Sequence, residues 1–481
     1  MKRVGVVSAL VVVLALGAST TESGSPTPAP LPLDPPAAFK TRLPRISGMV
    51  GLGKITSRSW AGSTVTLTTT FPEAEEFIAL YPANPNNSVA VISDFSLRAG
   101  SNTTKYAVSF NNGAAGTWFE NFVPLVMQRP ATSDGRTWEF NSNPVVAIDK
   151  QGYVYVSSLY FNMSDLANGI YVCLGRMTTQ DLGFSSQTTV PVVTNLSPTS
   201  SFNEDKPWLA VDNSDASSSG NVYVAWTRFY ETPDGERSTI LFSRSVNHGT
   251  TWSAPIRISE PQQDGAVQGS QVAVGPNGEV YIVYEVFYQG DKRQQFLAKS
   301  TDAGQTFGPA DAITPVFNEL TFRSTYRKNS FASIAVSPTN GHVYVVYADE
   351  PSAETGSEVE IIESQDGGAT FSVPAPVNQP AQGHQFMPAL TVDNTGVIHV
   401  SWYDSRNSSQ GTSAYDIYAT SRATDDCPFA ANRRVTATSI DAGTASFIGD
   451  YGGIAASGGF AHPVWTSGGF NNGMLQTATV Q

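Results

Sequence analysis

The chain is poor in the residues that staple or metallate a scaffold, with 2 Cys and 5 His in 481 residues. Two cysteines exclude a disulfide framework. The histidines are scattered and form no His-Glu-x-x-His pair, so no metal site is expected. Charge is also scarce, at 14% of residues, and unbalanced: 41 acidic against 28 basic side chains give a net charge of −13. A field of that sign repels polyphosphate and excludes nucleic acid as an expected partner. Long hydrophobic runs are nearly absent. The exception, Val4 to Leu16, has 13 residues, short of the about 20 that span a bilayer. Lys2 and Arg3 precede it and Gly17, Ala18 and Ser19 follow, the three parts of a secretory signal over residues 1–19. The expectation is a secreted protein with no membrane span.

What is present points to short strands. Hydrophobic residues at 40% and aromatics at 11% are too many for disorder, and 41 Gly with 30 Pro punctuate the chain too often for long helices. Pro26, Pro28, Pro30, Pro32, Pro35 and Pro36 place a Pro-rich linker within an N-terminal extension over residues 20–59. From residue 60 to 481 one phrase keeps returning: an apolar strand, a Gly-containing turn, a second apolar strand. It reads PVVAIDKQGYVYVSS from Pro144, PWLAVDNSDASSSGNVYVAW from Pro207, SQVAVGPNGEVYIVY from Ser270, ASIAVSPTNGHVYVVY from Ala332 and PALTVDNTGVIHVSW from Pro388. Worn copies are PNNSVAVIS from Pro85 and GGIAASGGFAHPVW from Gly452.

Anchored on Ala90, Tyr155, Tyr223, Tyr281, Tyr344, His399 and His462, the copies step by 55 to 68 residues with a mean of 62. Each phrase is an antiparallel hairpin, and a third and a fourth strand follow it, as at Ile240 to Ser243 and Ala254 to Ile258. Four-stranded units of this kind cover their faces by stacking radially. The expected fold is all-β, a seven-bladed β-propeller of four-stranded antiparallel blades, with six blades as the alternative. The last copy runs out of sequence for its outer strand, so the β-rich run Ser63 to Thr70 is expected to complete it.

The link between third and fourth strands has its own signature: SVNHGTTW at Ser245, STDAGQTF at Ser300 and SQDGGATF at Ser364, with a looser SFNNGAAGTW at Ser109. Blades two and six carry degenerate stretches around Thr179 to Phe184 and Thr424 to Phe429. Asn247, Asp302 or Asp366 can accept backbone N–H bonds in the turn, while Gly249, Gly304 or Gly368 permits positive φ. A device repeated blade by blade reads as structural. These segments resemble Asp-boxes, and over roughly residues 80 to 481 the chain is similar to the Asp-box, or BNR-repeat, sialidase-like propellers. Asp205-Lys206-Pro207-Trp208, Trp402-Tyr403-Asp404-Ser405-Arg406 and Phe447-Ile448-Gly449-Asp450-Tyr451 look like a secreted bacterial branch of them.

Chemistry is expected where innermost strands begin and second strands end, at one rim of the axis. The residues at those positions are Asp205 and Lys206, Gln268 and Gln271, Lys328 and Asn329, His384 and Gln385, Asp450, Arg228, Glu285, Asp349 and Glu350, Tyr403, Asp404 and Arg406. The resemblance implies guanidinium groups for a substrate carboxylate, a tyrosine nucleophile and carboxyl groups for proton transfer. Asp205, Asp404 and Asp450 are the candidate carboxyl groups and Tyr403 or Tyr451 the nucleophile. Arg228, Arg406, Lys206, Glu285 and His384 are the candidates for binding substrate. Departures from the family pattern are clear: the Phe/Tyr-Arg-Ile-Pro motif is absent, Leu43-Pro44-Arg45-Ile46 is a scrambled echo, and no repeat position places Arg323 or Arg327.

The expected function is therefore an exo-acting, sialidase-like glycoside hydrolase. The alternatives are a non-catalytic carbohydrate- or protein-binding propeller and a polysaccharide lyase with His384 as base. A glycan partner, a monomer and no cofactor are expected. The oxygen-rich Asp212-Asn213-Ser214-Asp215 is read as an Asx-type turn ahead of a structural calcium site. Cys173 and Cys427 fall in blades two and six, too far apart to bridge. The sequons at Asn86, Asn102, Asn162, Asn195 and Asn407 matter only in a eukaryotic host.

Overall fold

The computed structural model describes residues 64–68, 73–94, 104–114, 117–122, 138–196, 202–352, 356–408, 413–423, 425, 427–443, 447–468 and 473–481. The signal sequence, the Pro-rich linker, Leu43 to Ile46 and Asn102 lie outside the described residues, as do Thr424 and Asp426 of the degenerate stretch in blade six. Seven antiparallel sheets follow one another along the chain. Their innermost strands are Glu73–Leu80, Phe140–Ile148, Phe202–Val211, Val267–Val274, Ser333–Val336, Gln385–Val392 and Gly453–Ser457. Each packs on the next, and the seventh packs on the first, so the sheets form a closed ring, a seven-bladed β-propeller. Among the described residues no helix is long and apolar enough to cross a membrane.

The second strands are apolar without alternation because a blade lies against each of their faces. Val222, Tyr223, Val224, Ala225 and Trp226 are all fully buried, as are Val343 to Ala348. Closure uses the N-terminal run, as its composition suggested: Val65 pairs with Thr477 and Thr66 with Gln476, giving blade seven its outer strand. The Leu67 amide adds a bond to the Leu475 carbonyl at 2.9 Å. One aliphatic residue from each blade, Ile78, Val146, Leu209, Val272, Ile334, Leu390 and Ile454, lines an axial cavity of about 310 Å³.

The repeated turns mesh neighbouring blades. In blade four the Ser300 hydroxyl donates to Asp302 Oδ1 at 2.7 Å, and the amides of Gln305 and Thr306 donate to the same oxygen at 3.0 and 2.9 Å. The Gly304 amide donates to Ser300 Oγ at 2.9 Å. Asp366 with Ser364, and Asn247 with Ser245, repeat the pattern. The turn glycine then lies flat on the anchor ring of the preceding blade. A Cβ on Gly304 would meet Phe242 at 2.8 Å and Tyr223 at 3.3 Å, and one on Gly368 would meet Tyr281 at 3.2 Å. Gly113 of blade one faces His462 of blade seven in the same way, so this contact also closes the ring.

Blades two and six depart from the pattern because Gly175 and Arg422 stand where blades one, three, four and five carry the turn serine. In blade six Asp425 takes over, receiving the Tyr344 hydroxyl and the His342 ring. Cys173 is buried in blade two and Cys427 is exposed in blade six, with no disulfide between them. At the oxygen-rich turn, Asp212 Oδ1 accepts the Ser214 amide at 2.8 Å and Asn213 bonds across to Ile148 and Lys150 of blade two, which is Asx-turn geometry.

Candidate functional site

Five innermost strands bulge at one level, between Ala74 and Phe77, Ser142 and Val145, Asp205 and Trp208, Gln268 and Gln271, and Phe386 and Ala389. The bulged residues Glu75, Asn143, Lys206, Gly269 and Met387 have φ of 65°, 52°, 50°, 73° and 47°. Left-handed backbone is costly for side chains other than glycine's, and a bulge re-aims the side chain it carries. At three of these sites the residue re-aimed is polar.

Their partners come from across the ring. Lys206 Nζ of blade three lies 2.6 Å from Asp450 Oδ2 of blade seven and 3.3 Å from Asp205 Oδ2. Blades three and seven are not neighbours, so this bond crosses the axis. Arg327, from the segment leading into blade five, grips both oxygens of Asp450, through Nε at 2.8 Å and through Nη2. Asn329 Nδ2 donates to the Asp450 carbonyl at 2.8 Å, and Gln268 Nε2 of blade four donates to Asp205 Oδ2 at 3.1 Å. Asn143 Nδ2 of blade two donates to Glu75 Oε1 at 2.8 Å. Six blades thus contribute to one polar cluster beside the axial cavity, its ions drawn from blades three, five and seven.

The cluster sorts protons by position. Burial pushes the Glu75 carboxyl up to about 8, with Lys206 and Arg327 opposing and Asp450 and Asp205 adding to the rise. Burial acts in the same direction on Asp450, but Arg327 and Lys206 outweigh it and hold that carboxyl below its usual range. Burial works against the Lys206 ammonium, yet Asp205 and Asp450 raise its pKa above the ordinary lysine value. Near neutral pH, Glu75 therefore carries a proton while Asp450 is ionised and doubly neutralised. Asp205, at 20% side-chain exposure, is the carboxylate that solvent reaches.

Tyr451, next to Asp450, has its hydroxyl buried with no hydrogen-bond partner among the described residues. Its ring meets Trp208 edge-on at 5.5 Å, and Trp208 meets Phe77 at 4.9 Å. Burial, and then Glu75 and Asp450, push its pKa well above the ordinary tyrosine value.

Of the residues expected at the mouth, the structure brings together Asp205, Lys206, Gln268, Asn329, Asp450 and Tyr451. The others are engaged elsewhere. Arg228 lies opposite Glu204 in its own blade and binds it through Nε at 2.9 Å and through Nη2, while Trp226 Nε1 donates to Glu204 Oε2. Blade six repeats this unit with Trp402, Asp404 and Arg406: Asp404 Oδ2 accepts Trp402 Nε1 at 2.8 Å and Arg406 Nη2 at 2.6 Å. A buried carboxylate needs a cation and N–H donors, and both arginines meet that need within their own sheet. The expected convergence of Arg228, Asp404 and Arg406 with Asp205 and Asp450 is therefore corrected: no hydrogen bond or ion pair joins the first three to the last two.

Tyr403 is fully buried, and its hydroxyl donates to Glu76 Oε1 at 2.8 Å. Burial pushes Glu76 up to about 7, opposed by its bonds from Thr466 and Tyr403. Glu285 is pushed up to about 8 by burial and by Glu319, and it accepts bonds from Ser330 and Gln295, both at 2.8 Å. His384 stacks on Phe322 with ring centroids 4.0 Å apart, and burial lowers its pKa.

Glu75 and Asn143 were not singled out from the sequence, and Arg327 was named there without a repeat position to place it. Blade one's innermost strand, EEFIAL, keeps only Ala79 and its flanking apolar residues of the PVVAI and PWLAV pattern. Aligned on that alanine, Glu75 falls level with Lys206. Among the described residues no group of three or more His, Cys, Asp or Glu gathers to hold a metal ion.

No family model matches the chain, and neither does any curated protein. Among solved structures it is similar to an α-L-arabinofuranosidase of Fusarium graminearum, with 9% identity over 87% of this chain and 97% of that one and a TM-score of 0.48. A polysaccharide lyase, an ulvan lyase, gives 11% identity, 88% and 96% coverage and a TM-score of 0.49. A sialidase of Streptococcus pneumoniae gives 10%, 82% and 83%, and 0.44. Likeness of this degree does not extend to activity.

Proposed function

We propose that the chain is a secreted, glycan-active propeller of the Asp-box type, an exo-acting glycoside hydrolase working at the axial mouth. The observation that carries this reading is the meeting of three groups at one rim: the solvent-reached carboxylate of Asp205, the proton-loaded acid Glu75 and the unpartnered hydroxyl of Tyr451. Two carboxyl groups whose environments push their proton affinities apart are the equipment of glycosidic cleavage, one giving a proton to the leaving oxygen and the other serving the sugar carbon or its attacking water. Glu75 has the acid role and Asp205 the base role. Tyr451 supplies the tyrosine at the sugar, since Tyr403 is committed to Glu76. A mouth backed by ion pairs suits a chain end, hence the exo action.

The sialidase-like form of this reading asks for guanidinium groups open to a substrate carboxylate. Arg228, Arg406 and Arg327 each hold an internal carboxylate, so a sialoside is one substrate to try among several. A second reading, carbohydrate binding without turnover, is favoured by the same neutralisation of Asp450 by both nearby cations.

The test is the purified protein on a panel of aryl glycosides that includes a sialoside, beside Asp205→Asn and Glu75→Gln. Turnover of a panel member falling at least about 100-fold in either variant, with the melting temperature kept, is expected. Turnover indifferent to both variants removes this assignment, and glycan binding without turnover selects the second reading.

A further inference from the structure

Large exposed hydrophobic side chains are few among the described residues, and three of the seven, Met163, Leu166 and Phe202, fall at the gap between blades two and three. Asn168 Nδ2 donates to the carbonyls of both Leu166, at 3.2 Å, and Phe202, at 2.8 Å, so the last two stand side by side. Leu166 is 52% exposed and sits at φ 61°, a conformation that leucine adopts at a cost. The Phe202 ring, 40% exposed, has the Arg228 guanidinium over it at 4.7 Å and Tyr230 against its edge at 6.4 Å.

This backing is rigid. Arg228 is fixed by Glu204, and Glu204 is held in turn by Trp226 and by Asn195 Nδ2 at 2.8 Å. The guanidinium charge is therefore neutralised within the blade by Glu204, and the platform offers an apolar ring whose backing cation is already paired. Phe202 is three residues before Asp205 on one strand, about 10 Å along it and on the opposite face of the sheet, a separation that a chain of two or more further sugar units spans.

We infer that Phe202, flanked by Leu166, is a stacking platform for a neutral sugar ring, outside the axial mouth and at the rim between blades two and three. The inference rests on the glycan-directed reading above and adds to it: the ligand is an oligosaccharide with a neutral residue two or more units from the end held at the mouth. A ring fixed before the ligand arrives gives contact area with little ordering cost, and aromatic surface suits the apolar face of a pyranose.

Linear xylo-, manno- and cello-oligosaccharides of one to five units, titrated calorimetrically into the full protein, test this. For the series that the protein binds, affinity should rise from one to three units. Phe202→Ala should lose about tenfold at three units and above while leaving the monosaccharide unchanged, and Phe202→Trp should keep the gain. Leu166→Gly, which relieves the backbone and removes the side chain, should lose part of the same gain without lowering the melting temperature. A Phe202→Ala effect equal at every length, or none at three units, overturns the platform while the glycan reading stands. Wild-type protein binding no oligosaccharide of any length also overturns the platform, and the glycan reading falls with it only if the aryl glycosides are neither bound nor turned over.

Discussion

Glu75 is a carboxyl group in a place where water does not stabilise its charge, and its pKa of about 8 against 4.5 in the unfolded chain has two consequences. The folded state holds its proton between those values and the unfolded state does not. The contribution of Glu75 to stability is therefore complete below about pH 4.5 and lost as pH rises through 8. Thermal melts between pH 5 and 9 should show wild-type stability declining over that range and Glu75→Gln flattening the decline. If Glu75 is the proton donor, kcat/KM should also fall on the alkaline side near pH 8. The neighbouring case of Arg228 shows what residue-level reading misses. Its position at a second-strand end was legible, but its partner Glu204 stands directly opposite on the innermost strand. The need to neutralise that buried carboxylate decides where the guanidinium points.

At the scale of the element, the turn between third and fourth strands was legible almost atom by atom. Its hydrogen bonds run between residues two to four apart, and local sequence specifies local bonds. What local sequence did not reveal is that the turn glycine is also a blade-to-blade contact. Gly304→Ala should therefore cost more than a turn substitution alone: the residue has φ 75° and its new Cβ would press on Phe242 and Tyr223. A loss of about 2 kcal/mol in denaturant unfolding is expected, against about 1 kcal/mol at Gly290, where φ is 72° and nothing lies within 4 Å, so that only the backbone strain acts. His462 occupies the corresponding place between blades seven and one. Burial lowers its pKa to about 4, so its contribution to stability is complete above about 6.5 and lost as pH falls towards 4. An NMR titration should find its ring neutral at pH 5.5.

At the scale of the whole molecule, the ring is closed by two paired residues from the start of the described chain, Val65 and Thr66, with Leu67 adding one bond. Leu67→Pro removes that amide donor and should lower the melting temperature by about 5 °C. Deletion through residue 68 exposes the edge strand Met474–Thr477, and size-exclusion chromatography should then show self-association. A deletion variant that stays monodisperse and melts like wild type would mean that the seventh blade does not depend on this strand. The sequence by itself determined the wheel and its turns and favoured seven blades over six and closure by the N-terminal run, because each depends on hydrophobic patterning and turn chemistry written repeatedly along the chain. Only the tertiary structure decided the site. Lys206 meets Asp450, and Arg327 reaches the same carboxylate, through contacts across the axis between residues that differ from copy to copy, and no repeat encodes a pairing that occurs once.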